Sequence, residues 1–171
     1  LNEEVGDGYA ANYATVERLS RLAKLRSTDP KIRALALQLT QHLPSHNYLD
    51  ESKAIATWVQ QNMRYVRDIR GVETIHDPLT LLEQATRGVA AGDCDDHVVF
   101  IASMLLSIGH NPFFRIVKYR PETLSFNHIY MVDYDKNGAR APKQRIVLDA
   151  IVKDKPIGFE VKHANGEELA V

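Results

Sequence analysis

The stretch Gly92-Asp93-Cys94-Asp95-Asp96-His97, running on through Val98-Val99-Phe100-Ile101-Ala102-Ser103-Met104-Leu105-Leu106-Ser107-Ile108 to Gly109, decides the fold. Val98, Ile101, Ala102, Leu105 and Ile108 recur at helical spacing, and Gly109 followed by Pro112 is ordinary helix-stop chemistry. Val99, Phe100, Met104 and Leu106 make the other sides apolar too, so the helix is predicted to be buried nearly all round. Asp93 is a good N-cap, able to accept from the backbone N–H of Asp95 or Asp96. The only thiol of the chain therefore enters at the first turn of a central helix.

Orphan N–H groups and the helix dipole favour a thiolate there, and the N–H of Cys94 can donate to an oxyanion forming on an attacked carbon. Gly92 leaves room for close approach. Against activation, Asp93, Asp95 and Asp96 place three negative charges beside the sulfur, so a neighbouring imidazolium is needed. Taken alone, the segment also reads as a structural cysteine under an ordinary cap. The Asp93, Asp95, Asp96 and His97 cluster has donors for a hard cation, but consecutive helix positions point different ways, which favours the capped helix start.

Upstream the chain reads as helices. Tyr9, Tyr13, Val16, Leu19, Leu22 and Ala23 repeat at three- and four-residue steps. So do Ile32, Leu35, Ala36, Leu39 and Leu43 after the Asp29-Pro30 start signal, with Pro44 closing the helix. A third helix is expected from about Asp50 to Tyr65, with Ile55, Trp58, Val59 and Met63 on one side. Asp77-Pro78 starts a short fourth, and Arg87 to Gly92 is a small-residue connection to Cys94. Downstream, Phe113 to Tyr119, Phe126 to Tyr134 and Gln144 to Val152 have strand composition and length, and Ile157 to Val161 is a candidate fourth strand. Helices followed by an antiparallel meander make an α+β domain, the central helix packing on the sheet.

If Asn137-Gly138 is a two-residue turn, paired positions sum to 275 and His128 and Asp149 are diagonal neighbours on one sheet face; a sum of 277 puts them directly opposite. A sum of 276 separates them. Both sit in apolar sequence, where burial is costly unless each satisfies the other. A thiol at a helix N-terminus, then His, then Asp is the order of nucleophile, base and orienting group in a cysteine acyl-transfer site. A structural His–Asp pair is the alternative.

Gly92-Asp93-Cys94-Asp95-Asp96-His97, Leu105, Leu106 and Gly109, then Arg115, Phe126-Asn127-His128-Ile129-Tyr130 and Val147-Leu148-Asp149 resemble the transglutaminase-like superfamily, a rearranged relative of papain-type folds. The likeness covers roughly residues 50 to 160, with Trp58 and Tyr65 on a matching upstream segment and residues 1–49 as a helical extension of one domain spanning 1–171. It implies Cys94 as nucleophile, His128 as general base and acid, and Asp149 as the group orienting His128. The short length and the Gly-Asp-Cys-Asp-Asp form are similar to compact microbial and phage-type members, which implies a cysteine peptidase acting through an acyl-enzyme. Transamidation to an amine and an idle peptide-binding or morphogenetic module on the same fold are the alternatives. No tryptophan precedes the catalytic strand, leaving His76, Gln84 or a loop N–H as candidates for the second oxyanion donor.

Asp133-Tyr134-Asp135-Lys136-Asn137-Gly138 copies the start of a calcium loop, but position 12 is Gln144 and strands flank it, which favours a hairpin turn. His97 is within reach of Cys94 yet lacks an orienting carboxylate. His42, His46, His76, His110 and His163 read as loop or surface residues.

At 171 residues, 44% apolar and 25% charged, the chain is long enough to bury a core without metal or disulfide. No metal or cofactor is expected, and the substrate class is protein or peptide. Twenty-one basic against 22 acidic residues argue against nucleic acid as partner. The longest strongly apolar stretch, Val98 to Gly109, falls short of the roughly 20 residues that span a bilayer. The single cysteine excludes an internal disulfide and suits a reducing compartment such as the cytoplasm, without fixing the address. Residue 1 is Leu, and no charged segment with an apolar core follows it.

Overall fold

A computed structural model describes residues 2–3, 8–44, 46–68, 73–135 and 144–171. The elements run β1 (Asn2–Glu3), α1 (Tyr9–Ser27), α2 (Pro30–Thr40), α3 (Tyr48–Asn62), β2 (Arg64–Tyr65), β3 (Glu73–Thr74), α4 (Pro78–Thr86), β4 (Ala91–Gly92), α5 (Cys94–Ser107), β5 (Phe113–Lys118), β6 (His128–Tyr134), β7 (Arg145–Leu148) and β8 (Asn165–Ala170). The expected α+β arrangement is present, helices first and an antiparallel four-stranded sheet after them.

The start signals work as their chemistry predicts. Asp29 accepts from Lys31 N–H at 2.8 Å and Asp77 from Leu79 N–H at 2.9 Å, each with proline at the first helical position. The stops are less exact: α2 ends at Thr40, before Pro44, and α3 ends at Asn62, so Arg64–Tyr65 forms β2 instead of a last helical turn. β2 pairs in parallel with β4, Tyr65 beside Gly92, which ties the end of α3 to the residues just before Cys94.

α5 is the central helix. Every residue from Asp95 to Leu105 is buried. Val16, Leu19 and Ala23 of α1, Ile32 and Ala36 of α2, Ile55, Ala56 and Val59 of α3, and Leu81 of α4 share one core with it. At roughly 1.5–3 kcal/mol per fully buried large aliphatic side chain, this surround is the main force that fixes α5. The helix stops on Gly109 at φ 90°, with Gly109 N–H on Leu106 O at 3.1 Å and His110 N–H on Leu105 O at 3.1 Å. Those two bonds are a Schellman closure, which needs the left-handed conformation that glycine adopts freely.

The sheet order is β7-β6-β5-β8. Phe114 and Ile116 face Met131 and Ile129, and Met131 faces Leu148, so alternate residues form one apolar face against the helices. The opposite face carries Phe113, Val117, Tyr130, Val132, Tyr134 and Val147, beside a charged network in which Arg115 and Arg145 meet Glu160 and Glu168. Arg145 above all holds the Glu160 carboxyl low, at about 2.

The expected strand at Ile157 to Val161 is absent. Pro156 removes a donor, Gly158 sits at φ 107°, and the segment forms turns. The fourth strand is instead β8, antiparallel to β5 on the far edge, from Phe113 against Ala170 to Lys118 against Asn165. Tyr9 and Tyr13, expected on a buried stripe, are 42% and 41% exposed because their turn of α1 overhangs the edge of the sheet. Among the described residues, no helix is long and apolar enough to cross a membrane.

Candidate active site

α5 opens with a capping box. Asp93 accepts from Asp95 N–H at 3.0 Å and Asp96 N–H at 3.4 Å, and Asp96 reaches back to Asp93 N–H at 3.3 Å. Asp96 also takes His76 N–H at 2.7 Å and His76 Nδ1 at 2.8 Å, so one buried carboxylate joins the cap to the segment before α4. A Cβ on Gly92 would lie 2.1 Å from Asp96 Oδ2 and 2.6 Å from its Cβ. The close approach that Gly92 permits is thus that of the Asp96 side chain. The cap engages the N–H groups of Asp95 and Asp96 and does not use that of Cys94.

Cys94 is half-buried, and its thiol donates to Asp95 Oδ1 at 3.7 Å. Burial, then Asp95, then Asp93 push the thiol well above its ordinary pKa, while the backbone N–H of Ile129 pulls the other way. The acidic neighbours thus act against the thiolate, in the direction the sequence predicts. Ile129 directly follows His128, so the sulfur lies beside the first residues of β6.

His128 and Asp149 meet: His128 Nε2 is 2.8 Å from Asp149 Oδ2, and both side chains are buried. Their register differs in number and agrees in parity. β6 and β7 pair with a sum of 279, Met131 opposite Leu148, which continues to Tyr130 opposite Asp149 and leaves His128 diagonal to it on the same face. Asn137-Gly138 and Pro142, on which the expected turn rested, lie outside the described residues. The Tyr119 ring stacks on His128 at 5.8 Å and 16°, and the Tyr130 ring lies at 5.5 Å. Burial, then Asp149 and Cys94, raise the Tyr119 hydroxyl to about 12, so it stays neutral. The bond to Asp149 leaves Nδ1 as the second nitrogen of the imidazole.

His97 is held by the cap: its Nδ1 sits 2.7 Å from Asp93 O, and burial drives its pKa down to about 4. Asp93, Cys94 and Asp95 bring ligand-type atoms within 4.8 Å of one another, but the two carboxylates already serve the cap and the thiol. The calcium-loop likeness finds no support in Asp133, whose carboxylate turns inward to Ser52 at 2.5 Å and to His110 Nδ1 at 2.6 Å. Lys136 to Gly138 lie outside the described residues.

That contact corrects the reading of His110 as a surface residue. It is 2% exposed, with Nε2 on Glu51 at 2.8 Å and the Tyr48 ring 5.0 Å away. Both ring nitrogens face carboxylates, and although burial opposes the charge, Asp133 and Glu51 outweigh it and raise the pKa. A single histidine in a loop gave no sign of this, because its partners come from α3 and β6.

No family model matches the chain, and no curated protein does. Solved structures do. A putative protease from Parabacteroides distasonis ATCC 8503 superposes with a TM-score of 0.56 at 14% identity, over 87% of this chain and 30% of that one. A putative cysteine protease from Cytophaga hutchinsonii gives 0.50 at 14% identity, over 82% and 50%. LapG of Legionella pneumophila, EGTA-treated, gives 0.46 at 17% identity, over 82% and 74%. This chain spans about a third and a half of the lengths of the first two. With its capped central helix packed on an antiparallel sheet, the chain shares its fold with the first two of these protease structures.

Proposed function

We propose that the protein is a cysteine peptidase in which Cys94 attacks a peptide carbonyl, His128 moves the proton and Asp149 orients His128. The observation that carries this is the buried His128 Nε2–Asp149 Oδ2 bond of 2.8 Å, one residue from the N–H that faces the Cys94 sulfur. Asp149 fixes the imidazole through Nε2–H, which leaves the lone pair on Nδ1 as the base for the thiol. His128 Nδ1 takes the thiol proton, and the resulting thiolate–imidazolium pair offsets the raised cost of an anion beside Asp93 and Asp95.

The thiolate attacks the carbonyl carbon, and the N–H of Cys94 donates to the oxyanion. The imidazolium then protonates the leaving amine, and water, activated by the neutral imidazole, resolves the acyl-enzyme. The protease fold of the neighbours supports a protein or peptide as substrate. A peptide electrophile tests the reading: a Cys94 adduct in the parent that disappears in Cys94→Ala supports it, and no adduct with any such probe favours a binding module. Products formed with and without an added amine separate hydrolysis from transamidation, since both use the same residues.

A further inference from the structure

We propose that Asn12, in the first turns of α1, is a positioning residue for His128; this rests on the Cys94–His128 reading above. The β5–β6 ladder ends at Val117 opposite His128, with Asn127 N–H still reaching Val117 O at 3.0 Å. Phe126, the next residue outward, has no strand partner. Its N–H donates to Asn12 Oδ1 at 3.0 Å and its carbonyl accepts from Asn12 Nδ2 at 3.1 Å. A carboxamide presents one donor and one acceptor side by side, as a peptide unit does, so Asn12 acts as one more rung beyond the end of the sheet.

The surrounding contacts hold that rung firm. The Tyr9 ring meets the Phe126 ring edge-on at 5.3 Å, and Lys118 Nζ donates to Tyr9 OH at 3.1 Å and to the carbonyls of Pro121 and Thr123 at 3.3 and 3.4 Å. Tyr13 OH donates to Glu167 of β8 at 2.6 Å. α1 itself is anchored by Val16, Leu19 and Ala23 in the main core. The backbone entering β6 is therefore pinned two residues before His128 by a helix far away in sequence. Strand ends without such partners open locally on a far lower free-energy scale than the core does.

The test compares parent, Asn12→Ala, Asn12→Asp and His128→Ala by two readouts: hydrogen exchange of the Phe126, Asn127 and His128 amides, and the rate of Cys94 alkylation by iodoacetamide at pH 6.5. The clamp predicts faster exchange confined to that entry and about tenfold slower alkylation in Asn12→Ala, since a small displacement of a reacting group costs one to two orders of magnitude. Asn12→Asp keeps the acceptor for Phe126 N–H, loses the donor to its carbonyl, and falls between. His128-dependent alkylation that Asn12→Ala leaves unchanged, with or without faster exchange, overturns the positioning role. Alkylation equal in parent and His128→Ala removes the Cys94–His128 reading, and the proposal with it. Should Asn12→Ala fail to fold, Asn12→Asp carries the same comparison.

Discussion

Replacing Asp95 with Asn removes one negative charge beside the Cys94 sulfur while keeping the side chain's size. The sulfur-to-Oδ1 distance of 3.7 Å sets the scale. Two unit charges at that separation repel by about 1 kcal/mol at the dielectric of water and about 4.5 kcal/mol at an effective value of 20. At about 1.4 kcal/mol per pKa unit, this is roughly one to three units, and the partial solvent exposure of Cys94 places it toward the lower end. The sign is fixed: the carboxylate repels the thiolate and accepts from the thiol, so its removal lowers the thiol pKa. Losing an acidic residue from the first turn of α5 costs about 0.3–1 kcal/mol of favourable dipole interaction, a few degrees of melting temperature at most. The assay is the pH profile of Cys94 alkylation followed by intact mass, run in the parent and in the His128→Ala background. The profile is expected to move to lower pH by about one unit in both. An unchanged profile, or one displaced to higher pH in a folded variant, would refute the electrostatic account of the helix terminus.

Gly92→Ala forces a methyl group to within 2.1 Å of Asp96 Oδ2, so the capping box and the His76 contact must give way; a loss of about 1–3 kcal/mol in urea unfolding is expected, against near-parent stability if the site can relax. His110 has a raised pKa in the folded state, so its contribution to stability is fully present below its unfolded value of about 6.5 and is lost as pH rises through the higher folded value. Unfolding free energy should therefore decline above about pH 6.5, and His110→Phe, which leaves the buried Asp133 without its cationic partner, should abolish that component while costing about 3–5 kcal/mol at neutral pH. A flat pH dependence in the parent contradicts the ion-pair assignment.

Much of the site was legible because its signals are local or depend on parity. Asp29-Pro30 and Asp77-Pro78 start helices through their own side chains, and Asp93 caps α5 within three residues. His128 and Asp149 share a face under any odd sum, so the observed 279 preserves what 275 or 277 predicts although the register differs. Other features depend on distant partners and leave no pattern. β8 reads Asn-Gly-Glu-Glu-Leu-Ala, with no aromatic or β-branched residue, and is a strand because β5 offers it an edge. The burial of His110 needs Glu51 and Asp133, and the grip of Asn12 on Phe126 spans 114 positions. Ile157 to Val161 has strand-like letters, but Pro156 and Gly158 redirect the backbone.

The most direct test of the cysteine–histidine–aspartate assignment is the rate of Cys94 alkylation by iodoacetamide between pH 6 and 7, below the ordinary thiol pKa of about 8.5, in the parent, His128→Ala and Asp149→Asn. The account predicts rapid labelling in the parent that is lost in His128→Ala and strongly reduced in Asp149→Asn. Labelling that sets in only above the ordinary thiol pKa, at the same rate in all three proteins, would contradict it.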